Sequence, residues 1–166
     1  SELALMLKGY VEKDPERFAR LAVRLPTRTN PAYYDQVLAG LKAATIPTQL
    51  KLDVTRKVFA ECANDCGTAI ADSLGSVEGT LPDDAVEMLS WLATEHPNPQ
   101  REMWQEQAER GGKFFGGEAY SNGINSTRGR AAEAIRDLIL KDVAYVGRFR
   151  ETLGRMVQDK SAAVLS

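Results

Sequence analysis

Residues 127–157 read TRGRAAEAIRDLILKDVAYVGRFRETLGRMV. In both halves of this stretch, apolar side chains recur at steps of three and four residues, which is the period of an amphipathic helix. Only two or three residues around Lys141-Asp142 separate the halves, so the predicted helices, 127–140 and 143–157, fold back as an antiparallel hairpin. The apolar positions are Ala131, Ala134, Ile135, Leu138 and Ile139, then Val146, Phe149, Leu153, Met156 and Val157.

The same period extends through the upstream sequence. Prolines recur where helices are expected to begin, and proline is well tolerated in a first helical turn because its missing N–H would have no helical partner there. Asp14 and Asn30 precede two of these prolines as N-cap residues. Helices are predicted to begin at about 2, 15, 31, 47, 66 and 82, with the fourth running to about 62. No alternating stretch predicts a strand.

These patterns predict an all-α protein of about seven or eight helices. Helices of this length are marginal alone and must pack on neighbours. Antiparallel pairs stacked in chain order form an α-α superhelix, a solenoid; a compact bundle is the alternative. A short helix at 100–110 and a glycine-rich loop at about 111–126 interrupt the pattern. Because 159–166 resembles a helix start, we expect one helical-repeat domain, 1–166, excised from a longer chain.

Several classes of chemistry lack their residues. The 166-residue chain has one histidine, no phosphate-loop motif and no apolar run long enough to span a membrane. Cys62 and Cys66 share a helix face, but a structural zinc site needs four ligands, so we expect them to be buried apolar residues. His96 is expected to pack at a helix C-terminus. We therefore predict no catalysis, cofactor, metal or small-molecule substrate, and a reducing cytoplasmic location.

Charge is unevenly distributed along the chain. Ten basic and six acidic residues give 1–59 a charge of +4, and the corresponding values are −9 for 60–126 and +3 for 127–166. Two basic helix edges stand out: Arg17, Arg20, Arg24 and Arg28, and Arg128, Arg130 and Arg136. Such edges suit phosphate binding. Because acidic residues such as Glu16 and Glu133 lie in the same helices, we expect paired surface charges instead.

Two phrases carry a family resemblance. Residues 128–135 and 143–158, followed by DKSAAV at 159–164, resemble a HEAT-type repeat and the start of the next one, with Leu165 where that pattern usually has arginine. LPDD at 81–84 with WLATEHP at 91–97, and GINSTRGRAAEAI at 123–135, resemble the helical repeat region after the NTPase module of large bacterial STAND-type ATPases, which include antiviral sensors. The resemblance implies a recognition or autoinhibitory module, with ATP bound elsewhere in the parent chain.

We therefore expect a non-catalytic module that binds a protein partner or another domain of its parent chain. Arg128, placed against the dipole of its own helix start, suggests a specific acceptor, such as a carboxylate or carbonyl group of the 96–126 loop. A nucleic-acid-binding domain is the alternative, and a small helical enzyme using Asp83, Asp84, Glu87 or His96 is the least favoured one. The candidate interaction residues are Trp104, Phe114, Phe115, Tyr120, Asn125 and Arg128.

Overall fold

A computed structural model describes residues 2–97 and 126–158, and none of these residues lies in a strand. The all-α prediction is confirmed for this part of the chain. The short helix expected at 100–110 and the glycine-rich loop, up to residue 125, lie outside the described residues, and the solenoid stays a prediction. The helices are α1 (Glu2–Lys13), α2 (Pro15–Arg24), α3 (Pro31–Leu41), α4 (Thr48–Gly75), α5 (Asp83–Thr94), α6 (Thr127–Lys141), α7 (Tyr145–Arg148) and α8 (Arg150–Val157).

The chain divides into two compact units, Ser1–Ala85 and Val86–Ser166. In the first unit, α3 packs against α1, α2 and α4, and α2 also packs against α1 and α4. In the second, α7 packs against both α6 and α8. The division falls within the first turn of α5, and the expectation of a single repeat domain stays a prediction.

The predicted helix starts are confirmed for α2 and α3, which both begin at their prolines. Asn30 caps α3 as expected, because its Oδ1 accepts a hydrogen bond from the Ala32 N–H at 2.9 Å. Asp14 precedes α2, but its side chain makes no capping hydrogen bond. Asp14 therefore occupies the expected N-cap position without bonding to the helix, and Pro15 follows in the first turn, where its missing N–H would have no helical partner.

Helix α4 reverses direction at Cys62, the residue whose φ of −149° and ψ of 41° leave helical values. The hydroxyl oxygens of Thr55 and Ser73 lie 2.8 Å apart, whereas a straight helix would separate these residues by about 27 Å. The two arms of α4, on either side of Cys62, therefore lie side by side as a helical hairpin. The separate helices predicted from about 47 and from about 66 correspond to these arms.

Buried polar groups hold the arms together. Thr55 Oγ1 donates to the carbonyl oxygen of Lys51 at 2.9 Å, so its single proton is used and Ser73 is the donor between the two hydroxyls. Both side chains are fully enclosed, at 0% and 1% exposure. Since an unsatisfied buried hydroxyl is costly, this bond favours one register of the two arms.

Lysines join the end of α3 to both arms of α4. Lys51 is buried, and its Nζ donates to the carbonyl oxygen of Lys42 at 3.3 Å, just after the last turn of α3. Lys42 in turn forms an ion pair with Asp72 on the second arm at 3.1 Å. Burial lowers the pKa of Lys51. The exposed C-terminal carbonyl of α3 thus gains a donor.

Helices α1 and α3 approach closely at Gly40. A Cβ at this position would lie 2.7 Å from both Cβ and Cγ1 of Val11 and 3.1 Å from the carbonyl oxygen of Lys8. Val11 is fully buried, so neither it nor the backbone can move away cheaply. The glycine therefore sets the distance between these two helices.

The C-terminal sequence differs from its prediction. Residues 143–157 were expected as one helix, but the structure has α7 and α8, and Phe149 between them has φ −101° and ψ 10°. The Phe149 ring is fully buried and stacks on Tyr145, with ring centroids 6.0 Å apart. Gly147 lowers helix propensity in the preceding turn, so packing of the ring prevails over a continuous helix.

We expect Gly40→Ala to lower the free energy of unfolding by about 1–3 kcal/mol, because the added methyl overlaps Val11. Gly9→Ala on α1 is the matched control, since nothing lies within 4 Å of its Cβ position. It should raise stability by up to about 1 kcal/mol through helix propensity. Urea denaturation followed by circular dichroism measures both; equal effects of the two substitutions would contradict the close approach.

We expect Thr55→Val and Ser73→Ala each to destabilise the protein by about 1–2 kcal/mol. Each substitution removes one hydroxyl of the buried pair and leaves the other hydroxyl without that hydrogen-bond partner. The double variant should lose less than the sum of the two, with a coupling energy of about 1 kcal/mol. A double-mutant cycle in urea tests this. Strict additivity would mean that the arms of α4 do not meet at these residues.

Candidate functional site

Helix α2 presents opposite faces to the protein and to solvent. Ala19 and Ala22 are buried at 0% and 1% exposure, and their small side chains let α2 lie close to its neighbours. Arg17, Leu21 and Arg24 follow each other at i, i+4 and i+7 on the opposite side, and all three are exposed. We call these residues, together with Arg28 in the following turn, the arginine face.

The guanidinium groups of the arginine face meet no carboxylate in the described part of the chain. Arg20, beside this face, pairs with Glu16 at 2.6 Å, as the sequence predicted. The same expectation is wrong for Arg17, Arg24 and Arg28, which form no ion pair with any residue of 2–97 or 126–158. Three arginines are thus available in water to a ligand that carries negative charge.

Leu21 adds an apolar contact between these arginines. Its side chain is 53% exposed, although leucine usually lies inside a folded domain. A single exposed leucine is common, but here it is flanked on the same helix face by Arg17 and Arg24. The face therefore places positive charge and an exposed apolar side chain on the same side of α2. Arginine is enriched in protein interfaces relative to the rest of the surface.

Arg28 extends the face through an unusual backbone. Its φ is 72°, the only positive value of a non-glycine residue in the described chain. The turn is held by Thr29, whose Oγ1 donates to the carbonyl oxygen of Pro26 at 2.7 Å. Glycine or asparagine would adopt this conformation more easily. The turn thus carries an exposed arginine at a conformational cost of about 1 kcal/mol.

The second predicted basic edge is largely neutralised. Arg130 pairs with Glu133 and Arg136 with Asp137, each at 2.9 Å. The expectation of paired charges is confirmed for these arginines. Arg155 similarly pairs with Glu95 at 3.1 Å. These exposed or half-exposed pairs contribute little to stability, but they reduce the positive potential that a phosphate chain would meet.

Arg128, the one candidate interaction residue that the structure describes, is buried at 7% exposure. Its Nε donates to the carbonyl oxygen of His96 at 2.6 Å, which is the kind of acceptor expected from the 96–126 segment. Ser126 caps the same helix by accepting from the Gly129 N–H at 3.0 Å. A cation in a first helical turn is unfavourable, and the buried carbonyl offsets that cost. Any contact of Arg128 with a partner stays a prediction.

His96, whose carbonyl oxygen accepts the bond from Arg128, is 1% exposed and lies just after α5. Its ring packs edge-on against Trp91, with ring centroids 5.6 Å apart. The backbone N–H of His96 donates to the Trp91 carbonyl oxygen at 3.1 Å. The expected packing role at a helix C-terminus is therefore confirmed. Trp104, Phe114, Phe115, Tyr120 and Asn125 lie outside the described residues.

The two cysteines lie at the reversal of α4, buried and free, with their sulfur atoms 3.3 Å apart. Burial raises the pKa of both thiols. Because the thiolate is the reactive form, both should be poor nucleophiles at neutral pH. The prediction that they act as small buried residues is confirmed. Among the described residues, no three histidine, cysteine or acidic side chains gather as a metal site would require.

A charged cluster at the same reversal was not found from the sequence. Glu61 accepts a hydrogen bond from the Tyr34 hydroxyl at 3.1 Å and forms an ion pair with Lys57. Lys57 holds the pKa of Glu61 below its usual value. The Glu61–Lys57 spacing of four residues was a visible signal, but the contact with Tyr34 required the fold.

Asp84, one of the acids proposed for the enzyme alternative, has a structural partner. Its carboxylate accepts from two nitrogens of Arg56, Nε at 2.5 Å and Nη2 at 3.1 Å. The hydrogen bond from Arg56 lowers the pKa of this carboxyl group. Asp83 joins it in the first turn of α5, where negative charge favours the helix dipole.

We expect Arg128→Ala to lower the free energy of unfolding by about 2 kcal/mol, because it leaves the buried His96 carbonyl without its charged donor. Arg128→Lys should recover only part of this loss, since lysine lacks the rigid guanidinium. Arg136→Ala is the exposed control and should stay within about 0.5 kcal/mol of wild type. Urea denaturation measures all three, and unchanged stability of Arg128→Ala would refute the anchoring role.

None of the described helices is both long and apolar enough to cross a membrane. The chain matches no protein-family model, no curated protein and no solved structure.

Proposed function

We propose that this chain is a non-catalytic protein-interaction module within a larger bacterial protein. The single observation that carries the proposal is the arginine face. Arg17 and Arg24 flank the exposed Leu21, Arg28 follows in the next turn, and none of the three arginines has an ion-pair partner in the described chain. Solvation alone would be served equally well by lysine or glutamate at these positions. Arginine is enriched in protein interfaces, whereas lysine and glutamate are depleted there.

The wider setting follows from the resemblance to the helical region of STAND-type ATPases. In that setting the module senses a partner or restrains another domain of its cytoplasmic parent chain, and ATP is bound elsewhere. A helical repeat suits such a role because its stacked helices offer an extended binding surface. The residues outside the described part, Trp104, Phe114, Phe115, Tyr120 and Asn125, remain candidates for a second contact.

Nucleic-acid binding is the second candidate, because the arginine face would also attract phosphates. Two observations favour a protein instead. Leu21 occupies the middle of the face, where a phosphate chain has nothing apolar to offer it. In the second unit, Arg130, Arg136 and Arg155 are engaged by carboxylates.

We expect Arg17→Gln/Arg24→Gln/Arg28→Gln to lose the partner without loss of folding, because these exposed side chains make no ion pair to be broken. Arg136→Gln/Lys141→Gln/Arg150→Gln is the control, with the same change of charge at exposed positions of α6 and α8. The parent protein is captured from its own cells with each triple substitution, and bound proteins are identified by mass spectrometry. Circular dichroism checks the fold.

Equal recovery of every bound protein by the two triple variants would refute the proposed binding role of the arginine face. A salt-dependent shift of a DNA or RNA duplex by the wild type, lost only in Arg17→Gln/Arg24→Gln/Arg28→Gln, would support the nucleic-acid alternative instead.

A further inference from the structure

We propose that the arginine face binds an acidic amphipathic helix supplied by another protein, with carboxylates one heptad apart on either side of an apolar residue. This inference rests on the proposed function and specifies the chemistry of its partner. It begins from the geometry of α2, where Arg17 and Arg24 are separated by two helical turns and Leu21 lies between them.

The charges on this face require a negatively charged partner. Arg17, Arg24 and Arg28 have no ion pair in the described chain, and residues 1–59 carry +4. Arginine binds carboxylates through two parallel hydrogen bonds, which fixes direction as well as charge. Lys8, on the neighbouring helix, pairs with Glu12 at 3.7 Å, so it does not compete for the same ligand.

The exposed leucine favours a peptide ligand over a polyphosphate. Leu21 is 53% exposed. Covering Leu21 with a hydrocarbon side chain removes apolar area from water, at about 25 cal/mol per Å². A phosphate chain would leave it hydrated. An acidic segment with one apolar residue between its carboxylates satisfies both parts of the face.

A helical partner suits α2 better than an extended one. An extended peptide that adds to a sheet gains its main-chain hydrogen bonds from a strand edge, and no strand occurs among residues 2–97 and 126–158. A helix surface instead accepts the side-chain ridges of another helix. Arg17 and Arg24 lie about 10 Å apart along the α2 axis, which matches carboxylates one heptad apart on a partner helix.

The test uses a fluorescein-labelled, alanine-based helical peptide in which two glutamates one heptad apart flank a leucine. Fluorescence anisotropy at low salt should show saturable binding to the wild-type protein. We expect Arg17→Gln/Arg24→Gln to weaken it at least about tenfold and Leu21→Ser about fivefold, whereas Arg136→Gln leaves it unchanged. A peptide with glutamine in place of glutamate, and one with serine in place of leucine, should bind correspondingly less.

Four results would overturn the inference. The first three are no saturable binding to the wild type, equal binding by Arg17→Gln/Arg24→Gln, and tighter binding of a short DNA duplex through the same arginines. The fourth is self-association of the free protein that is lost in Arg17→Gln/Arg24→Gln, since a second copy would then occupy the face. If the cellular partner is lost in the arginine variants but the peptide does not bind, this inference fails and the proposed function stands. If neither partner capture nor peptide binding requires the arginine face, both the inference and the proposed function fail.

Discussion

The reversal of α4 at Cys62 is the constraint on which the first unit depends. The hydrogen bond between Thr55 and Ser73 brings the two arms together, and buried Lys51 ties the first arm to the end of α3. Helix α3 packs against α1, α2 and α4. Because each short helix must bury its apolar face on neighbours, fixing the hairpin also fixes the surface of α3 and α4 on which α2 packs. The arginine face is the side of α2 turned away from that surface.

Arginine occupies two opposite environments in the two units. Arg128 is buried, and a backbone carbonyl oxygen accepts its hydrogen bond. Arg17 and Arg24 stay in water on a helix whose buried residues are alanines. The difference arises from what surrounds each guanidinium, because the same group stabilises a fold when it is enclosed with an acceptor and attracts a ligand when it is exposed without one.

Much of the helical structure could be predicted from local sequence. Pro15 and Pro31 marked helix starts, and Asn30 was identified as a cap. The break at Phe149 was missed because an apolar period continues through it, and only the burial of its ring against Tyr145 selects the break. The site was predicted less well. The basic helix edges were recognised from the sequence. Which arginines form ion pairs depended on rotamers and neighbours: Arg130 and Arg136 do, whereas Arg17 and Arg24 have no pair within the described residues.

By itself, the sequence determined the helical class, most helix starts and the absence of a zinc quartet or a phosphate loop, because these depend on residue types at short spacing. Only the tertiary structure decided three contacts: the hydrogen bond between Thr55 and Ser73, the close approach of α1 and α3 at Gly40, and the hydrogen bond from Arg128 to the His96 carbonyl oxygen. These contacts join residues far apart in the chain. Their geometry follows from how whole helices pack, which no local pattern specifies.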